Sequence, residues 1–226
     1  MQCFDKPGTN GLDMRGMPIS DNSSALSRRT LLGGLAVLAA APARAYVQRG
    51  LAAAAGSAVN PWLIARALAA VARHGEAIWS RDVIAIADFG LLSSAPRFHL
   101  IDILAGSVTS LRVTHGRGSD PDHSGMLQSF SDEPGSGATA EGAYLTGETY
   151  VGVHGLSRRL IGLDPSDANA EARAIVIHAA WYAEPDVLAR QGKLGRSDGC
   201  FAFSATDEAL VLAKLGQGRM IYAGRA

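Results

Sequence analysis

The sequence predicts a mainly β domain with a few helices, preceded by a short helical segment. Three observations carry that expectation. From residue 81 onward, short apolar segments alternate with clusters of Gly, Ser and Pro at close spacing, the grammar of antiparallel or mixed sheets. Only two stretches show helical periodicity with capping residues in place. Once an N-terminal leader is set aside, roughly 180 residues remain, which suits one domain able to bury its own core.

Taken in order, residues 27–45 read "SRRTLLGGLAVLAAAPARA". Two arginines precede an apolar run, and Ala43-Arg44-Ala45 gives the small-x-small pattern of a cleavage site, the layout of a secretory signal. The Ser-Arg-Arg-x-Leu-Leu order resembles a twin-arginine signal, implying export of a folded chain to the periplasm. The expected division is a leader over 1–45, a linker and helix over 46–79, and a catalytic domain over 80–226. "NPWLIARALAAVARHG" is the first helix, with Asn60 as cap, Pro61 at the first position and Gly75 as a stop. "DVIAIADFG", "SSAPRFHLIDILAG" and "SVTSLRVTHG" read as strands. Residues 116–140 form a long irregular stretch rich in Gly, Ser and Asp, and loops of that length usually carry function or disorder. "GAYLTGETYVGVHG" and "RAIVIHAAWY" resume the strand pattern. "SATDEALVLAKLGQG" is the second helix, with Ser204 and Asp207 forming a capping box, and "RMIYA" is the last strand.

The chain holds 21 basic and 21 acidic residues, and the leader takes more basic than acidic ones with it. A basic face for nucleic acid is therefore not expected. After the leader no apolar run approaches membrane-spanning length, so no stable anchor is expected once the signal is cleaved.

Cysteine usage singles out one residue. The chain has two cysteines, Cys3 and Cys200, and the first leaves with the leader. A lone cysteine in an exported chain is an intermolecular disulfide partner or a reactive thiol. Cys200 sits in "GRSDGCF", among turn formers rather than in an apolar run. Gly199 before it allows a tight turn that presents the thiol and aims backbone N–H groups outward, as an oxyanion requires. Arg196 is placed to lower the thiol pKa or bind a carboxylate. A thiol nucleophile needs a base, and His178, in the buried-looking "AIVIHAAWY", is the best placed of the six histidines.

Competing constellations are weaker. His115, Asp120, Asp122 and His123 in "HGRGSDPDH" have metal-binding chemistry without a recognised ligand spacing, so no metal and no cofactor are expected. The glycines of "HGRGS" lack the Lys-Ser/Thr of a phosphate loop. Tyr144, Tyr150, Trp181 and Tyr182 border a cleft or pack.

"IHAAWY" followed by "GRSDGCFAFS" resembles the His…Ser-x-Gly-Cys core of the L,D-transpeptidases with a YkuD-type catalytic domain, specifically the YkuD_2-like branch. The likeness extends through "IADFGLLSSAPRFHLIDI", "THGRGSD", "GAYLTGETYVGVHGLSRRLIGLD" and "NAEARAIVIHAA". It implies a β-sandwich-like mixed sheet. It implies Cys200 as nucleophile, His178 as general base, and Ser197 and Gly199 as the residues shaping the thiol's loop. His154, Arg158 and Arg159 match positions that line the substrate cleft, and Tyr150, Trp181 and Arg196 are further lining candidates. The implied substrates are peptidoglycan stem peptides, as donor and acceptor, joined through a thioester with release of D-alanine into 3,3 or 1,3 crosslinks, with sensitivity to carbapenems. Where the family pattern carries an arginine or asparagine after the cysteine, this chain has Phe201 and Ala202. An L,D-carboxypeptidase, another cell-wall cysteine peptidase and a non-catalytic wall-binding protein are the alternatives.

Overall fold

The computed structural model describes residue 56 and residues 59–226. The expected leader, with Cys3, lies outside the described residues, as does most of the linker.

Helix α1 (Pro61–Arg73) begins where the Asn60 side chain accepts the Trp62 amide at 2.9 Å, with Pro61 in the first turn. It ends when the His74 amide donates to the Ala70 carbonyl, one residue before Gly75. Arg73 and His74 then both reach the Asp164 carboxylate, at 2.7 and 2.8 Å.

Eight strands follow: β1 (Val83–Asp88), β2 (Phe98–Asp102), β3 (Ser107–Leu111), β4 (Gly142–Gly152), β5 (Gly155–Gly162), β6 (Val176–Ala179), β7 (Phe201–Phe203) and β8 (Met220–Gly224). They form one mixed sheet in the order β3-β2-β1-β8-β4-β5-β6-β7, parallel at β1/β8 and β6/β7 and antiparallel elsewhere. β1 and β8 are buried on both faces, so they read as continuous apolar runs. Ile84, Ile86, Met220 and Tyr222 meet Leu63, Ile64, Ala67 and Ala70 of α1 on one face. Ala85, Ala87, Ile221 and Ala223 face the other way, into a core shared with Ile177, Phe201 and Phe203.

The sheet curls into a half-barrel around that second core. Phe98 of β2 and Phe203 of β7 stand six strands apart in the order, yet their rings meet edge to face at 4.9 Å. Helix α3 (Ala205–Lys214) fills the concavity with Val211 and Leu212, after the Ser204 hydroxyl accepts the Asp207 amide at 3.1 Å.

The sequence did not single out three elements that position the site. β5 completes a hairpin with β4. β7 has only three residues and owes its pairing to β6. Helix α2 (Pro185–Gln191), behind a 3₁₀ turn at Trp181–Ala183, carries the chain from β6 to the parallel β7. Parallel neighbours require such a crossover.

Candidate active site

His178 lies on β6 opposite Ala202 of β7, and Ile177 lies opposite Phe201. Ile177 and Phe201 point into the core, so strand alternation sends His178 and Ala202 to the other face. Cys200 directly precedes β7. The Val176 amide and the Ala174 carbonyl, the latter 3.7 Å from Sγ, mark where its thiol rests, at the start of the same short strand. Ala174 holds φ 52°, an uncommon conformation for alanine, as the chain turns into β6.

The imidazole of His178 is almost fully buried, and its Nδ1 is 2.8 Å from the Ala179 carbonyl. A carbonyl only accepts, so Nδ1 carries the proton and Nε2 keeps its lone pair. Burial lowers its pKa below 6.5; the Ala179 bond opposes this and neighbouring His154 adds to it. The half-buried Cys200 thiol is shifted the other way. Burial raises it, the Val176 amide lowers it, Asp198 raises it and Arg173 lowers it, with a net rise. At neutral pH the His178 imidazole is therefore neutral and the Cys200 thiol protonated, so neither rests as an ion.

Ser197 ties the thiol's loop together. Its hydroxyl donates to the Cys200 carbonyl at 2.7 Å and accepts the Gly199 amide at 3.2 Å. Its own amide donates to His115 O, and its carbonyl accepts the Arg117 amide. The Gly199 amide, expected to point outward, is thus turned inward onto Ser197. Gly199 itself has φ 112°, and a Cβ there would stand 2.6 Å from the Ala138 carbonyl.

Beneath this loop is a buried polar chain. Arg97 is fully buried and donates to the Val113 and Leu91 carbonyls and to His115 Nδ1 at 2.8 Å. Arginine only donates, so the His115 proton is on Nε2, which donates to Asp120 Oδ2 at 3.2 Å. Burial and the Arg97 charge hold His115 at about 4. Burial alone would raise Asp120, but donors from Ser124, Gly125 and His115 take it to about 2. His123 Nε2 meets the Leu194 carbonyl at 3.0 Å. His115, Asp120 and His123 therefore serve as braces, and among the described residues no cluster of three or more metal-ligating side chains occurs.

The cleft candidates divide by strand register. Tyr150 pairs with Ser157, which pairs with His178, so all three share a face; Arg159, opposite Val176, shares it as well. The Arg159 guanidinium lies 4.4 Å over the Tyr150 ring and 3.4 Å from Glu148. His154, in the β4–β5 turn, stacks on His178 with centroids 4.2 Å apart. Arg158 is on the opposite face, buried, and donates to the Gly147 carbonyl at 2.7 Å, where it braces the hairpin. Adjacent strand residues cannot both face one cleft. Arg196 donates to the Asp120 and Pro121 carbonyls beside exposed Trp181, both lining a cleft of about 220 Å³.

Tyr182, expected to border a cleft or pack, lines the same cleft as Trp181 and Arg196, whereas Arg173, Asp198 and Arg117, around the thiol's loop, were not predicted. Burial, then the charges of Cys200 and Asp198, push the Tyr182 phenol up to about 12, so it stays a donor. Arg173 pairs with Asp132 at 3.3 Å and donates to the Ser131 and Ala138 carbonyls. Arg117 Nε is 2.8 Å from Asp198 Oδ1. Arg173 and Asp198 lie close to the His178 and Cys200 segments in sequence, while Arg117 is far from both and only the fold brings it there.

Comparison with known proteins gives three results. The YkuD_2 family, described as L,D-transpeptidase catalytic domain, matches residues 55–223, about three quarters of the chain and inclusive of α1. No curated protein matches the chain. Among solved structures, an L,D-transpeptidase from Mycobacterium smegmatis is 16% identical, with 63% of this chain and 58% of that one covered and a TM-score of 0.39. L,D-transpeptidase 3 from Mycobacterium tuberculosis, in complex with a faropenem-derived adduct, is 15% identical, with 63% and 60% covered and a TM-score of 0.40. An L,D-transpeptidase from Xylanimonas cellulosilytica is 12% identical, with 64% and 61% covered and a TM-score of 0.36. The chain spans less than two thirds of the length of each of these three. On the family match, together with the half-barrel that its strands build, the chain belongs to the L,D-transpeptidase catalytic domain family.

Proposed function

We propose that this protein is an exported L,D-transpeptidase that joins peptidoglycan stem peptides through a thioester on Cys200. The observation that carries the reading is the pairing of β6 with β7, which sets the Cys200 loop beside a histidine whose Nδ1 is fixed by the Ala179 carbonyl. As sulfur attacks the carbonyl of the third stem residue, the thiol proton passes to His178 Nε2. When the tetrahedral centre collapses, His178 returns that proton to the departing D-alanine amine and the thioester remains. Tyr182, protonated at all physiological pH, is a hydrogen-bond donor on the cleft wall near the developing negative charge. An acceptor amine then takes the acyl group and frees the thiol. His154, Tyr150, Arg159, Trp181 and Arg196 line the approaches, where arginines suit stem carboxylates.

Location in the periplasm by the twin-arginine route follows from the leader read over 1–45. Among the described residues no helix is long and apolar enough to cross a membrane.

The test uses purified protein with disaccharide tetrapeptide, following intact mass and products. Wild type forms an acyl adduct on Cys200, releases D-alanine and yields crosslinked dimers; Cys200→Ala does none of these. D-alanine release by Cys200→Ala overturns the assignment, and hydrolysed tripeptide as the sole product makes the protein a carboxypeptidase.

A further inference from the structure

The Arg117–Asp198 ion pair stands between two clefts on either side of the loop that carries the thiol. The first, of about 220 Å³, has Trp181, Tyr182 and Arg196 on its walls. The second, of about 300 Å³, is bounded by Gly135, Gly137, Arg173 and Asp198, and Arg117 lines both. Each borders the thiol's loop: Gly195 and Arg196 line the first, Asp198 lines the second, and a Cβ on Gly199 would stand 3.0 Å from Arg173 Nη2 of that second cleft. An acyl transferase needs this arrangement, with one approach for the donor and another for the acceptor.

A carboxylate one residue away from Gly199–Cys200 works against a thiol nucleophile, because its charge opposes the thiolate. Nor does Asp198 hold the fold. Both its side chain and that of Arg117 are about two-thirds exposed, at 67% and 69%, and exposed pairs contribute only ~0–1 kcal/mol. Such a pair opens at little cost. Gly137, at φ 62°, leaves room beside it: a Cβ there would stand 3.4 Å from Arg117 Nε and 3.6 Å from Asp198 Oδ1. At Gly135 a Cβ would meet nothing within 4 Å, so the cleft is open at that end. Its volume is at the low end for ligand pockets and fits an amino-acid-sized group rather than a whole stem.

We propose that Asp198 anchors the ammonium group of the acyl acceptor in the second cleft, with Arg117 as its counter-ion in the free enzyme. The inference rests on the reading of Cys200 as the acyl carrier. The acceptor arrives as R–NH₃⁺ and is held by the Asp198 carboxylate through charge-assisted hydrogen bonds. It loses one proton to neutral His178, and the amine nitrogen attacks the thioester carbonyl. The C–S bond breaks, His178 gives its proton to sulfur, and the nitrogen releases a second proton to solvent. The products are an amide, the free thiol and one proton. Holding the amine beside the thioester gives it its advantage over water.

The experiment follows partition of the acyl-enzyme between dimer and hydrolysed tripeptide, with disaccharide tetrapeptide as donor and acceptor. Hydroxylamine, uncharged at neutral pH, serves as a second nucleophile. Asp198→Asn is expected to lower the dimer-to-tripeptide ratio about tenfold while transfer to hydroxylamine falls far less, and Asp198→Glu is expected to recover part of the ratio. An unchanged ratio in Asp198→Asn, or an equal loss with both nucleophiles, overturns the inference and leaves the proposed function standing. A wild-type enzyme that never acylates on Cys200 overturns the proposed function itself.

Discussion

The imidazole rings of His154 and His178 stack with centroids 4.2 Å apart and planes inclined by 24°. The exposed ring caps the buried one, and both its cover and its charge bear on His178. With its pKa lowered, His178 is a base at neutral pH, so kcat/KM should rise with pH along a limb centred below 6.5. His154→Ala removes cover and neighbouring charge, and the limb should move to higher pH. A pH–rate series on both proteins, read by D-alanine release, checks this; an unmoved limb argues against the coupling.

Cys200 should alkylate slowly in the free enzyme. Burial raises its pKa above the usual thiol value, so the iodoacetamide rate should still climb where an ordinary thiol has reached its plateau. Asp198→Asn removes a charge that opposes the thiolate and should shift that profile to lower pH. Intact-mass kinetics across pH give the comparison.

Asp120→Ala should cost about 3 kcal/mol, because it strands the buried His115 Nε2–H and Gly125 amide, takes the acceptor from the Ser124 amide, and removes a charge that offsets buried Arg97. The same network predicts acid sensitivity. His115, held at about 4 against 6.5, contributes stability that is complete above 6.5 and lost as pH falls toward 4. Asp120, lowered from 3.8 to about 2, contributes stability that is present above 3.8 and lost as pH falls through 2. Urea unfolding between pH 7 and 2 measures both, and an Asp120→Ala protein unfolding at the wild-type midpoint contradicts the network's role.

Asp167 should behave in the opposite sense. It is fully buried, its Oδ2 has no partner, and burial followed by the charges of Asp164 and Asp132 pushes it up to about 8, against the Asp164 amide bond. A raised carboxyl favours the folded state most below 3.8 and loses that contribution as pH climbs to 8. Asp167→Asn keeps the acceptor for the Asp164 amide and removes the titration. It should leave stability at pH 5 nearly as it was and raise it at pH 9, flattening the profile in thermal melts.

Gly199→Ala should cost about 2 kcal/mol and most of the activity. The residue holds φ 112°, and a Cβ would press on the Ala138 carbonyl at 2.6 Å, displacing the turn that carries the thiol. Circular dichroism melts and acylation kinetics together separate a folded, misaligned enzyme from an unfolded one.

The sequence by itself determined the features that depend on neighbours in the chain. Asn60 and Pro61 start α1 and Ser204 starts α3, because a cap acts within three residues. Apolar runs marked β1, β2, β4, β6 and β8, and the irregular stretch at 116–140 carries no strand or α-helix, only the Gly116 bridge to Ser197 and the 3₁₀ turn Arg117–Ser119. Arg158 and Arg159 were both expected to line the cleft, and the strand's alternation sends Arg158 to the other face instead.

Tertiary structure alone decided the rest, and the reason is contact across long sequence separations. β7 is three residues that become a strand only by pairing with β6, more than twenty positions earlier. Phe98 meets Phe203 because the sheet curls, a property of eight strands together. In sequence His115 and Asp120 offer metal-binding chemistry and Arg97 carries no signal; burial and the hydrogen bonds linking the three make them the footing of the Ser197 loop. Asp198 carries no local pattern at all, and only the fold brings Arg117 to it, with a cleft on either side.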